Sequence, residues 1–198
     1  MSGQRARQSD FKMRYFTPEM YLRLNSEHDA EVERAAKEWE SAIARYSQHL
    51  EKMRPTMSPQ LRSLADLSLH DWQVIQSPAE AWQVIAGSRG VNLRVWESFL
   101  LLPLRKGNDV RLLLYALWDK LRVVAAGPQW RRKRSDTKPV YWLYDEVDRV
   151  PSPSDRYIHR VFLSDGTVRV IRFATCHVFR LSAARDSNGL GDRRRKSA

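Results

Sequence analysis

Cysteine is almost missing from this chain: Cys176 stands alone. No intrachain disulfide can form, which fits a reducing cytoplasm and leaves burial and hydrogen bonding to hold the fold. Long hydrophobic runs are missing too. The longest uncharged apolar stretch is residues 112–118, whereas a bilayer-spanning helix needs about 20 residues. Residues 1–12 are polar and lack the apolar stretch of a secretory signal. These absences predict a cytoplasmic protein with no membrane partner. Catalytic signatures are equally scarce. There is no glycine-rich phosphate loop, dinucleotide fingerprint, paired-cysteine zinc pattern, Gly-x-Ser-x-Gly elbow or His-Glu-x-x-His helix. No cofactor is implied. Cys176 has no activating motif around it, and it reads as a small buried hydrophobe.

What is abundant is positive charge. The chain of 198 residues carries a formal net charge of +11, which raises the question of nucleic acid. The excess is uneven. Arg131, Arg132, Lys133, Arg134 and Lys138 face only Asp136 in one loop, and Arg185, Arg193, Arg194, Arg195 and Lys196 face Asp186 and Asp192 at the C-terminus. Arg5, Arg7 and Lys12 outweigh Asp10 at the N-terminus. The body between these segments is nearly neutral. Solubilising ends are the plain reading. Phosphate contact by Arg131, Arg132, Lys133, Arg134, Arg193, Arg194 and Arg195 is the sharper one, and it would be non-specific and salt-sensitive.

A hydrophobic content of 42% and a charged content of 29% describe an ordinary globular chain. Its length suffices to bury roughly 70% of the unfolded surface. Helix signals come first. Thr17-Pro18-Glu19 is a cap followed by Pro at the first helical position and an acid in the first turn, predicting a short helix to about Leu24. Ser26 precedes a long helical period over residues 27–53, with Val32, Ala35, Trp39, Ala42, Ile43, Tyr46 and Leu50 on one face. His28 and His49 fall on this helix and are expected to be solvated. Ser58-Pro59 repeats the cap signature for a helix to about Asp66.

Strand signals follow. Residues 69–75 suggest a strand, while 77–97 are ambiguous. Residues 99–104 and 110–118 flank a hairpin turn at Lys106–Asp109, and 121–125 continue or bend the second strand. Residues 140–148, 157–163 and 168–173 form three further strands, the last extending to about Leu181. Asp165-Gly166 marks a tight turn, because such turns need positive φ and glycine has no Cβ to clash. Helices first and strands after predict an α+β protein: N-terminal helices packed on a curved antiparallel sheet of about six strands. The organisation expected is an extension over 1–12, one domain over 13–182 (helical to 67, mainly β beyond) and a basic tail over 183–198. Met13 has the look of a natural start.

Strand alternation singles out one polar constellation. A five-residue connection at 150–154 sets Leu143 against Val161, Val147 against Tyr157 and Asp145 against His159. A two-residue turn at Asp165-Gly166 sets His159 against Arg172, giving a row Asp145–His159–Arg172. A three-residue bulged turn sets Ile171 there instead. Asp145 beside His159 is the geometry that orients a general base. With His70 and Asp71 it would offer nitrogen and oxygen ligands. The alternative is a buried polar ladder that fixes strand register. Trp118, Trp130 and Trp142 near the basic loop raise a stacking platform for single-stranded nucleic acid, against ordinary packing.

Met13-Arg-Tyr-Phe-Thr17, Leu69-His-Asp71, Trp142-Leu-Tyr-Asp-Glu146 and His159 with Leu163-Ser-Asp-Gly166 together resemble a bacterial family of intracellular proteins of unknown function. The resemblance spans most of 13–181. It implies a bacterial cytoplasmic protein and carries over no catalytic residue. The functional expectation is a small binding or interaction protein, its partner a protein or small molecule. The competing readings are a metal-assisted or general-base hydrolase using His70, Asp71, Asp145 and His159, and a nucleic-acid binder.

Overall fold

A computed structural model describes residues 12–76, 99–125, 139–150 and 156–181. Its helices are α1 (Pro18–Leu24), α2 (Asp29–Met53) and α3 (Pro59–Ala65), with a 3-10 turn (Arg54–Thr56) between the last two. The caps act as the sequence indicates. The Thr17 hydroxyl accepts from the Met20 N–H and the Ser58 hydroxyl from the Leu61 N–H. Helix α2 starts two residues later than expected, after His28, while the Ser26 hydroxyl donates to the Glu31 carboxylate at 2.6 Å.

The strands are β1 (Gln73–Val74), β2 (Phe99–Lys106), β3 (Asp109–Leu117), β4 (Arg122–Ala125), β5 (Val140–Arg149), β6 (Tyr157–Leu163) and β7 (Thr167–Leu181). Their order is β3-β2-β1-β5-β6-β7, and β7 returns to pair with β3. The expected α+β class with antiparallel pairing holds, but the sheet is a closed six-stranded barrel with β4 as an extra strand, not an open curved sheet. The reason is the length of β7. At roughly 3.4 Å per residue its 15 residues reach about 50 Å, enough to serve β6 and β4 with the first half and β3 with the second. A bulge at Ala174 turns β7 where the duty changes, since Ala116 pairs with Thr175 and Leu117 with Phe173. Residues 121–125 follow a bend out of β3, and β4 resumes the same line along β7, with Leu117 opposite Phe173 and Arg122 opposite Val170.

Two cores follow from the alternation. Inside the barrel, Leu102, Leu104, Leu113, Val161, Leu163, Ile171 and Phe173 pack together with Met57, Leu61 and Leu64, so α3 closes on the lumen residues. On the outer face of β5–β6–β7, Leu143, Ile158, Phe162, Val168 and Val170 are covered by Met13, Phe16, Met20 and Ala42. Strand β6 is buried along its whole length because it has a core on each side. Among the described residues, no helix is long and apolar enough to cross a membrane.

Candidate functional site

Two shifts of register decide what the polar residues meet. The turn after β6 is the three-residue form: Gly166 has φ +75°, and His159 faces Ile171. Strands β5 and β6 are offset by two residues from the expected pairing, with Asp145 opposite Val161 and Val147 opposite His159. The connection is longer than five residues, for Arg149 pairs with Tyr157 and the Val150 N–H donates to the Arg156 carbonyl. Strand β5 also bulges between Trp142 and Tyr144. The bulge puts Trp142 and Asp145 on the same, inward side, which strict alternation forbids for residues three apart.

The lumen therefore contains a continuous polar chain. The Trp142 indole N–H donates to Asp145 Oδ1 at 2.8 Å. Asp145 Oδ2 accepts from the His159 Nε2–H at 2.8 Å, and His159 Nδ1 meets the Tyr115 hydroxyl at 2.9 Å. With Nε2 donating to a carboxylate, the neutral ring leaves Nδ1 to accept from the Tyr115 O–H. The Cys176 thiol, in register with Tyr115, lies against that hydroxyl. His159, Tyr115 and Cys176 are fully buried, and the Asp145 side chain is 19% exposed. Burial raises the Tyr115 phenol well above its usual range, helped by Cys176 and Asp145, and pushes the Cys176 thiol up to about 12. The chain joins β5 and β6 to β3, which is not a neighbour of either, so it is a strut across the lumen.

Arg172 is not part of this row, contrary to the expectation drawn from a two-residue turn. One residue of slip sends it to the other face, where its Nη1 donates to Asp119 at 2.7 Å and its guanidinium lies 5.8 Å from the Trp118 ring. His70 and Asp71 are not brought to the row either. The His70 Nδ1–H donates to the Leu143 carbonyl at 2.7 Å and its ring stacks on Tyr144, both on the outward side of the bulge. Asp71 has φ +65° and its N–H donates to the Trp142 carbonyl. Instead of a full strand over 69–75, this segment is a clasp on the bulge with two strand residues beyond it. Among the described residues, no group of three or more His, Cys, Asp or Glu side chains could hold a metal ion.

A second polar cluster lies outside the barrel and was not foreseen. Glu146, 1% exposed, accepts backbone N–H bonds from Arg14, Tyr15 and Phe16 at 2.6–3.0 Å. Asp148 lies against the Arg14 and Arg160 guanidiniums and 3.2 Å from His49 Nε2. His49 is thus half-covered beside a carboxylate and not solvated as expected. The Tyr46 hydroxyl accepts from the Val147 N–H at 2.7 Å, and burial raises its pKa. Burial also lowers Arg160, opposed by Asp148. The signal that could have exposed this cluster is the pair of acids, Glu146 and Asp148, at alternate positions of β5, on the face opposite Val147.

Trp142 is packed in the lumen, and Trp118 carries the Arg156 guanidinium 4.9 Å from its ring, so these two rings do not form an open platform. Trp130, Arg131, Arg132, Lys133, Arg134, Arg193, Arg194 and Arg195 lie outside the described residues, as do residues 1–11 of the expected extension over 1–12, the basic tail over 183–198 and the ambiguous segment 77–97. His177 is exposed and stacks on Phe179, on the face opposite Cys176.

The class of protein defined by this structure is an α+β barrel with a helical cover and a cross-lumen polar strut. No protein-family model matches the chain, and no curated protein matches it in sequence.

Proposed function

We propose that the chain is a binding or interaction protein that meets its partner on the outside of the barrel, the lumen serving as structural core. The observation that carries this reading is the state of His159. It is fully buried, and both ring nitrogens are engaged by Asp145 and Tyr115. An Asp–His–hydroxyl line resembles the arrangement that activates a nucleophile, but activation needs a reachable hydroxyl of lowered pKa. Here burial raises Tyr115, and Cys176 beyond it, in the opposite direction. The motifs that resemble a bacterial family of unknown function support the same view. Arg14–Phe16 bind Glu146, His70 and Asp71 clasp the β5 bulge, and Trp142, Asp145 and His159 build the strut, so each has an architectural task. The lone thiol supports a reducing, cytoplasmic setting.

The test is a comparison of wild type with His159→Gln on p-nitrophenyl acetate and p-nitrophenyl phosphate, both proteins checked as folded by circular dichroism. The expected result is equal background rates and a lower melting temperature for the variant. Turnover that depends on His159 in folded protein contradicts the reading.

A further inference from the structure

The rim of the barrel beside the β2–β3 turn gathers cations. Arg111 on β3 stands directly opposite Leu104 on β2 and Arg180 on β7, and Lys106 stands opposite Asp109 at the turn. Leu104 and Val178 pack on the lumen core, so by alternation Lys106, Arg111 and Arg180 share that face at its solvent end. Like charges set opposite one another on neighbouring strands repel. Asp109 is the acid on this face, and it accepts from Arg180 Nη2 at 2.9 Å. Asp71, next to Trp72 in sequence, turns instead to His70 Nε2 at 3.4 Å. Arg111 is left over. Its guanidinium lies 4.7 Å from the centre of the Trp72 ring, and among the described residues it has no hydrogen-bond or ion-pair partner. Trp72 is 5% exposed and fixed in the core, so stacking holds the fork in place while its N–H donors remain available. Lys106 is anchored too. Its Nζ donates to the His70 carbonyl at 3.0 Å, and the ammonium keeps further donors.

We propose that this rim binds the phosphate dianion of a small phosphate monoester. The Arg111 fork receives two of its oxygens, with Arg180 and Lys106 alongside. Lys106, Arg111 and Arg180 against Asp109 leave an excess of positive charge that one phosphate dianion neutralises. A run of nucleic-acid phosphates is the poorer occupant, because Asp109 and Asp71 flank the cations and repel a second phosphate. The inference rests on the reading of the chain as a binding protein and names its ligand's chemistry. The site lies on the solvent side of Trp72, outside the packed lumen.

The probe is phenyl phosphate, titrated into the full chain at low salt and about pH 8, where the monoester is a dianion. Binding is read by calorimetry and by the Arg111 Nε–H signal in NMR, with phenyl sulfate and an oligothymidylate run in parallel. The expected result is saturable binding of phenyl phosphate that moves the Arg111 signal and weakens as pH falls through about 6. Phenyl sulfate, a monoanion of the same shape, should bind about tenfold more weakly. Arg111→Gln, checked for a wild-type circular dichroism spectrum, should weaken phenyl phosphate binding about tenfold or more. Arg111→Lys, which keeps the charge and loses the fork, should weaken it as well. Arg23→Gln, which removes an equal charge from the pair with Glu38 on the helical cover, should leave it unchanged. Equal affinity of wild type and folded Arg111→Gln overturns the proposal, as does an equal loss in Arg23→Gln. So does tighter binding of the oligothymidylate, or no saturable binding of phenyl phosphate. An Arg111 signal unmoved at saturation overturns it without any substitution. Each of these outcomes leaves a binding role elsewhere intact, and the His159 hydrolysis assay decides that underlying reading separately.

Discussion

Asp145 and Glu146 are neighbours in the chain and serve opposite faces of the same strand. Asp145 turns inward and accepts from two side chains, one of them an imidazole that passes the chain on to a phenol. Glu146 turns outward and accepts from three consecutive main-chain N–H groups of the N-terminal segment. The inward group ties strands to one another across the lumen. The outward group ties a different part of the chain onto the barrel. The difference teaches that a buried carboxylate in this fold is a connector whose role is set by the face it occupies, and that the face is set by the bulge at Leu143 and Tyr144. Without that bulge Asp145 and Trp142 would stand on opposite sides.

The comparison can be broken from either side. Glu146→Ala leaves the N–H groups of Arg14, Tyr15 and Phe16 without their acceptor, and loss of a buried charged partner of this kind costs about 3–4 kcal/mol. Urea unfolding should show that loss, and amide exchange at residues 14–16 should accelerate while β6 stays protected at low denaturant. Asp145→Ala strands two side-chain donors, the indole of Trp142 and the imidazole of His159, for about 2–3 kcal/mol. Its signature is the reverse: residues 14–16 keep their protection relative to the globally weakened barrel. A milder lever acts on the lumen alone. The Cys176 thiol is held up to about 12, while an unfolded chain ionises near 8.5. The unfolded state therefore loses its proton first, and stability falls as pH rises from about 9 through about 12, by at most about 1.4 kcal/mol per pH unit from this one group. Tyr115 and Tyr46, also raised by burial, act in the same direction at higher pH. Urea midpoints at pH 7, 9 and 10 should decline in that order, and Cys176→Ala should flatten the decline between 9 and 10.

Much of the helical half was legible because its signals are local. Thr17 and Ser58 cap, Pro18 and Pro59 start, and the apolar period of 27–53 yields helix α2, with Ala35 and Ala42 buried but Ile43 left exposed. The hairpin of β2 and β3 was legible for the same reason, with Gly107 at φ +58° in its turn. Closure of the barrel was not, since it depends on β3 pairing with β7, two strands far apart in sequence. The Asp145–His159 contact was reached through a register that proved two residues out. An even offset keeps both side chains on the same face, and the diagonal neighbour is still within reach. Arg172 had no such protection: a slip of one residue at Asp165-Gly166 moved it to the other face. Tyr115 carries no local signal of its place in the strut, since a phenol in an apolar strand reads as packing. It stands between Leu113 and Leu117, which pack on the same lumen core.

The strut is the claim on which the rest depends, and hydrogen exchange of the Trp142 indole and His159 imidazole N–H protons addresses it most directly. If the chain from Trp142 through Asp145, His159 and Tyr115 is a closed structural element, both protons exchange only with global unfolding, at the rate of the buried amides of Val161 and Phe173. Exchange of either proton at the rate of a solvent-exposed side chain, with those amides still protected, would contradict it.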